Sequence, residues 1–183
     1  RSFLTIVVLT FVSSINAATY YVDKNHSSSS DNNAGTEASP WKTIQKAANT
    51  MSAGDTVYVK AGVYTELYSG TPSTDVTAIK PQNSGTASNP IVYSAFPGDS
   101  VIIDQQRQGS GFFIENKNYI HIIGFEIRNT WGSGVSTLTS AVGIVVDSNY
   151  IHDIDGVGGS NVGGVRLDDA RQSTVRNNVI HKV

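Results

Sequence analysis

The feature that most narrows what this chain can fold into is a recurrence of short strand-like units punctuated by glycine and acid. Gly111-Phe112-Phe113-Ile114-Glu115, Gly143-Ile144-Val145-Val146-Asp147 and Gly164-Val165-Arg166-Leu167-Asp168 share the form Gly-apolar-x-apolar-acid, at spacings of 32 and 21 residues. A second set comprises Phe125-Glu126-Ile127-Arg128-Asn129, Asn149-Tyr150-Ile151-His152-Asp153 and Asn178-Val179-Ile180-His181-Lys182, with central isoleucines 24 and 29 apart. Strands this short cannot form a stable sheet alone, and whole units recurring in order call for a stacked solenoid. A β-sandwich or jelly roll uses similar strands but gives no reason for whole units to repeat.

Within a unit, the period of two turns Ile144 and Val146, or Val165 and Leu167, into a narrow core, while Val145 and Arg166 point out. Asn149, Asn177 and Asn178 suit the bends, where asparagine tolerates left-handed backbone and can ladder between coils. One segment reads as a helix within residues 39–54. Ser39 and Pro40 are its expected N-cap and first residue, and Ile44, Ala47, Ala48 and Met51 fall on one face before the stop at Gly54. From Ile91 onward no further helix signal occurs.

The ends are read separately. Arg1, the apolar run 3–12 and the small residues Ser13 to Ala18 have the layout of a secretory signal peptide, assigned to residues 1–17. Residues 18–183 then form the N-terminal part of a solenoid domain, expected to continue past the alternating Asn178 to Val183. No later segment reads as membrane-spanning. With 13 Lys+Arg against 15 Asp+Glu and a net charge of −2, the chain lacks the basic field that collects nucleic acid. The absence of cysteine excludes disulfides, thiolate zinc sites, iron–sulfur clusters and a Cys nucleophile.

Tyr20-Tyr21-Val22-Asp23, the run from Gly35 to Ala48, Ala53 to Val59, and Gly62-Val63-Tyr64 resemble the leading segment of the right-handed parallel β-helix proteins of the pectate-lyase-like superfamily. Asn83 to Tyr93, Phe96-Pro97-Gly98 and Val101 to Asp104 resemble the following coil of its polysaccharide lyases, including the family 9 type. The resemblance implies an all-β, right-handed parallel β-helix whose N-terminal α-helix caps the open end. It further implies a secreted or periplasmic, monomeric protein that acts on polysaccharide. The same leading segment occurs in lyases, glycoside hydrolases, uronan epimerases and proteins without known activity. No segment here matches the calcium-binding aspartates and lysine base that the lyases carry on later coils.

The repeat alignment also suggests a constellation of its own. Glu115, Asp147 and Asp168, with Asp169 beside the last, occupy one position in their units; if those units are successive coils, their carboxylates stack about 5 Å apart. Ca²⁺ would relieve the repulsion, and would fit β-elimination on a uronate polymer, with Arg166 as the basic group and Trp131 as a platform for a sugar ring. The same residues equally suit hydrogen bonds to turn amides and a pairing of Arg166 with Asp147 or Asp168. His152 and His181 recur at the position of Arg128, without a third metal ligand in register. Tyr64 and Tyr68 are further candidate sugar platforms. Asp153 and Asp155 could form a glycosidase pair but read better as solvated turn residues.

Overall fold

The computed structural model describes residues 17–66, 79–156 and 162–183; the expected leader through Asn16, and Tyr68, lie outside the described residues. The chain winds through successive coils. Strand β1 (Thr19–Val22) is followed by helix α1 (Ile44–Thr50), then β2 (Thr56–Val59) and β3 (Gly62–Tyr64). Next come β4 (Ile91–Ala95), β5 (Val101–Asp104) and β6 (Phe112–Glu115). The fourth coil holds β7 (Ile120–Ile123), β8 (Glu126–Thr130), β9 (Val135–Leu138) and β10 (Ala141–Val142). The fifth holds β11 (Val145–Asp147), β12 (Tyr150–Ile154), β13 (Val165–Leu167) and β14 (Ala170–Arg171), and the last β15 (Thr174–Arg176) and β16 (Val179–His181).

All these strands pair in parallel with the equivalent strand one coil away. They build a six-stranded sheet (β1-β2-β4-β7-β11-β15), a five-stranded sheet (β3-β5-β8-β12-β16), a three-stranded sheet (β6-β9-β13) and the short β10-β14 pair. The in-register stack is what the recurring units require, and the architecture is a parallel β-helix. Its core is a set of columns. Val57, Tyr93, Ile122 and Val146 stack on the six-stranded sheet, and Ile103, Ile127 and Ile151 on the five-stranded sheet, all buried. Each such side chain contributes about 2 kcal/mol of burial, against about 0–1 kcal/mol for an exposed ion pair, so the inward columns dominate stability.

The second repeat set is in true register: Ile127 pairs with Ile151 and Ile151 with Ile180, and Arg128, His152 and His181 align beside them. The bend between the six- and five-stranded sheets carries the expected asparagine ladder. The Asn149 side-chain oxygen accepts from Phe125 N–H at 2.9 Å, while Asn149 N–H and Nδ2 donate to Asn178 Oδ1 at 2.9 and 3.0 Å. Asn177 adopts the left-handed backbone, at φ +56°.

Helix α1 buries Ile44, Ala47, Ala48 and Met51 as its periodicity predicts, but it starts later than Ser39. Trp41 exchanges backbone hydrogen bonds with β1, donating to Tyr21 O at 3.0 Å and accepting from Asp23 N at 2.9 Å, so it is held extended. Thr43 is therefore the N-cap, accepting from Lys46 N–H at 3.1 Å. The Glu66 carboxylate takes the N–H groups of Ile44 and Gln45. At the other end Met51 is the C-cap, and Gly54 serves the turn beyond it at φ +94°.

Burial pushes the Glu66 carboxyl up to about 7, against the pull of those two N–H groups. The folded chain then holds this proton more tightly than the unfolded chain, whose value is near the ordinary 4.5. The group's contribution to stability is accordingly lost as pH rises from the ordinary value to about 7. Glu66→Gln is expected to shrink the difference between melting temperatures measured near pH 5 and near pH 8. Glu66→Ala, which strips two helix N–H groups of their acceptor, should cost about 1 kcal/mol of stability near pH 5 and less near pH 8.

Candidate functional site

The three-stranded sheet carries Arg166. Phe113, Ser136 and Arg166 are in register on one row, where Phe113 and Ser136 are buried and Arg166 is half-buried, while Phe112, Val135 and Val165 form the row packed on the core. Arg166 is ion-paired with Asp168, one of the two partners its sequence position allowed. Glu115 lies on the same sheet but pairs with Lys80, whose ammonium lies 5.2 Å from the Phe113 ring. Glu115 is opposite Leu138, and Leu167 is opposite Thr137, so Leu138 stands between the levels of Glu115 and Asp168. Two strand spacings, about 9–10 Å, therefore separate those two levels. Asp169 accepts from the Ser140 hydroxyl at 2.9 Å and faces Arg171 at 3.7 Å.

Asp147 belongs to a different face. It ends β11 in the six-stranded sheet, opposite Ile123 and Arg176, and accepts from Arg176 Nε at 2.8 Å and Asn177 Nδ2 at 3.0 Å. Those bonds from Asn177 and Arg176 hold its carboxyl below the ordinary carboxylate range. The column inferred from the repeat alignment is thus not assembled: Glu115, Asp147 and Asp168 are not successive neighbours on one face. Among the described residues no group of three or more His, Asp or Glu side chains is placed to hold a metal ion. Glu115, Asp147, Asp168 and Asp169 do not fit a Ca²⁺ site in this arrangement.

Trp131 lies half-buried in the turn joining β8 to β9. Tyr64 is a core residue, 2% exposed, whose hydroxyl donates to Lys60 O at 2.9 Å, so it offers no surface to a sugar. Asp153 pairs with His152 and Lys182, and Asp155 with Arg107, so the two aspartates serve separate ion pairs.

A further polar cluster is on the outer face of the five-stranded sheet. His152 and His181 stack with ring centroids 5.3 Å apart and planes 5° from parallel. The His152 ring nitrogens face Asp153 Oδ2 at 2.6 Å and Glu126 Oε1 at 3.3 Å. Arg128 bridges Asp104 and Glu126, each at 2.9 Å. Burial pushes the Asp104 carboxyl up, but bonds from Asn129, Arg128 and Gln106 N–H outweigh it and leave the group below its ordinary range. Sequence reasoning aligned Arg128, His152 and His181 but missed Asp104 and Glu126. Their signal was available in the 24-residue step that sets Asp104 beside Arg128. The cluster's contacts between Asp104 and Arg128, and between Glu126 and His152, join strands of successive coils.

A family model described as the right-handed β-helix region of Pel9A-like proteins matches residues 20–182. The chain is 40% identical over 91 residues to pectate lyase PEL9 of Emericella nidulans, a match covering 50% of this chain and 19% of that protein. Among solved structures, the GH136 lacto-N-biosidase of Eubacterium ramulus superposes with a TM-score of 0.70 at 17% identity, covering 90% of this chain and 34% of that one. Pectate lyase Pel9A superposes with a TM-score of 0.59 at 16% identity, covering 90% and 48%. The two superpositions bear on fold alone. The chain spans about a fifth of the curated PEL9 relative it matches.

Proposed function

The chain belongs to the Pel9A-like right-handed β-helix family, and from that premise we propose that it is the N-terminal part of a secreted lyase that cleaves acidic polysaccharide by β-elimination. The carbohydrate-active β-helix fold is common ground between this reading and glycoside hydrolysis. The observation that favours elimination is the 40% identity to a pectate lyase across half of this chain. Secretion is supported by the family match, which begins at residue 20, just after the small residues expected to end the leader.

β-Elimination removes the proton next to the uronate carboxylate and expels the glycosidic oxygen, leaving a double bond and adding no water. It needs cationic groups on the carboxylate and a base for the proton. Arg166 suits the first role better than the second. A guanidinium stays charged at any ordinary pH, and Asp168, the more exposed partner, pairs it at the three-stranded sheet. Its task in this reading is to pair a sugar carboxylate.

The test is an assay on polygalacturonate with calcium supplied. Ultraviolet absorbance from unsaturated ends should rise in step with reducing ends, and Arg166→Gln should raise KM more than it lowers kcat. Reducing ends without absorbance would make the protein a hydrolase. Binding without either product would make it a glycan-binding scaffold.

A further inference from the structure

The outer face of the six-stranded sheet carries a row of aromatic rings that the proposed chemistry does not use. Tyr21 of β1 is in register with Tyr58 of β2, and Tyr58 with Ser94 of β4, so the tyrosines project from one outward column along the solenoid axis. Phe96 follows β4 and completes the row. Tyr21 and Tyr58 have ring centroids 6.1 Å apart, and Tyr58 and Phe96 5.8 Å apart. All three rings are half-buried, each keeping part of its surface open. The opposite parity of the same strands, Tyr20 and Val57, supplies the inward column.

A cation completes the row. Lys60 Nζ lies 3.2 Å from the Phe96 ring centroid and 5.7 Å from that of Tyr21. Its anion partner is Glu37, whose side chain is 60% exposed. The Lys60 side chain is 21% exposed, so the pair is open from the Glu37 end, where a second carboxylate can compete for the ammonium.

We propose that Tyr21, Tyr58, Phe96 and Lys60 form an anchoring subsite for a chain of uronate sugars laid along the axis. Pyranose rings present C–H groups to aromatic faces, and rings stepped from coil to coil meet successive sugars. Lys60 adds selection for a sugar carboxylate over a hydroxymethyl group. The substrate class rests on the lyase reading above, but the subsite is on a different sheet from Arg166 and Asp168. It holds polymer rather than cleaving it.

Affinity electrophoresis in gels containing polygalacturonate, alginate or neutral galactan tests this directly. The protein should be retarded by at least one uronate polymer and much less by galactan. The pair Tyr58→Thr with Phe96→Ser should weaken retardation about tenfold while the melting temperature holds. Lys60→Gln should erase the preference for uronate polymers and flatten its salt dependence. Retardation unchanged in these variants, or none on either uronate polymer, overturns the subsite. Retention that depends on the rings, in a protein producing no unsaturated ends, leaves the subsite standing and sinks the lyase reading. Lyase activity with ring-independent retention does the reverse.

Discussion

Gly134→Ala should destabilise the protein by about 3 kcal/mol, although the change adds a single methyl group. A Cβ at this position would lie 2.4 Å from Ile151 Cγ2 and 2.7 Å from the backbone oxygen of Gly164. Neither neighbour can move freely. Ile151 Cγ2 is fixed by the branched χ1 of a residue in the buried isoleucine column, and the Gly164 carbonyl accepts from Val135 N–H at 3.0 Å. The same corner recurs on adjacent coils, where a Cβ on Gly111 would meet Ile127 and one on Gly164 would meet Ile180. Glycine here provides space for the coil to close against the next sheet, and the cost is steric. Thermal melts should place the variant roughly 6–12 °C below the parent. Gly163→Ala is the control, since its Cβ would meet nothing nearer than 3.9 Å, and its melting temperature should hardly change.

Asn149→Ala is expected to cost a similar amount, about 3 kcal/mol, through lost hydrogen bonds. Asn149 is 2% exposed, and its side chain accepts from Phe125 N–H and donates to Ile122 O at 3.0 Å as well as to Asn178. Alanine leaves a buried donor and a buried acceptor without partners, each worth about 1–3 kcal/mol. Asn178→Ala should cost less, because the last coil is more exposed and its bonds can be replaced by water. Chemical denaturation midpoints of the two variants give the order. Equal midpoints would mean that the ladder does not bear on stability in the way its geometry implies.

These two positions also show how far the sequence could be read. The repeating isoleucines gave the true coil steps, because an inward column tolerates no change of parity or register without exposing a side chain. The Gly-apolar-x-apolar-acid pattern was less discriminating. Any short strand after a bend shows a period of two and a polar end, so the pattern recurs on every sheet. It paired Asp147 of the six-stranded sheet with Glu115 and Asp168 of the three-stranded sheet, at steps of 32 and 21 that depart from 24 and 29. The true mates on the three-stranded sheet begin at Gly111, Gly134 and Gly164, at steps of 23 and 30. The helix showed the same split: its buried face was periodic and legible, but its start was set by Trp41 pairing with β1, and the N–H groups of Ile44 and Gln45 are met by the distant Glu66. Long-range partners of this kind leave no local signal.

The most direct test of the central claim is cleavage of polygalacturonate in water enriched in heavy oxygen, with the products read by mass spectrometry. β-Elimination adds no water across the broken bond, so every new non-reducing end should carry a double bond, and freshly formed oligomers should hold no heavy oxygen from the cleavage itself. Heavy oxygen entering one atom per bond broken, with saturated ends, would establish hydrolysis and contradict the account.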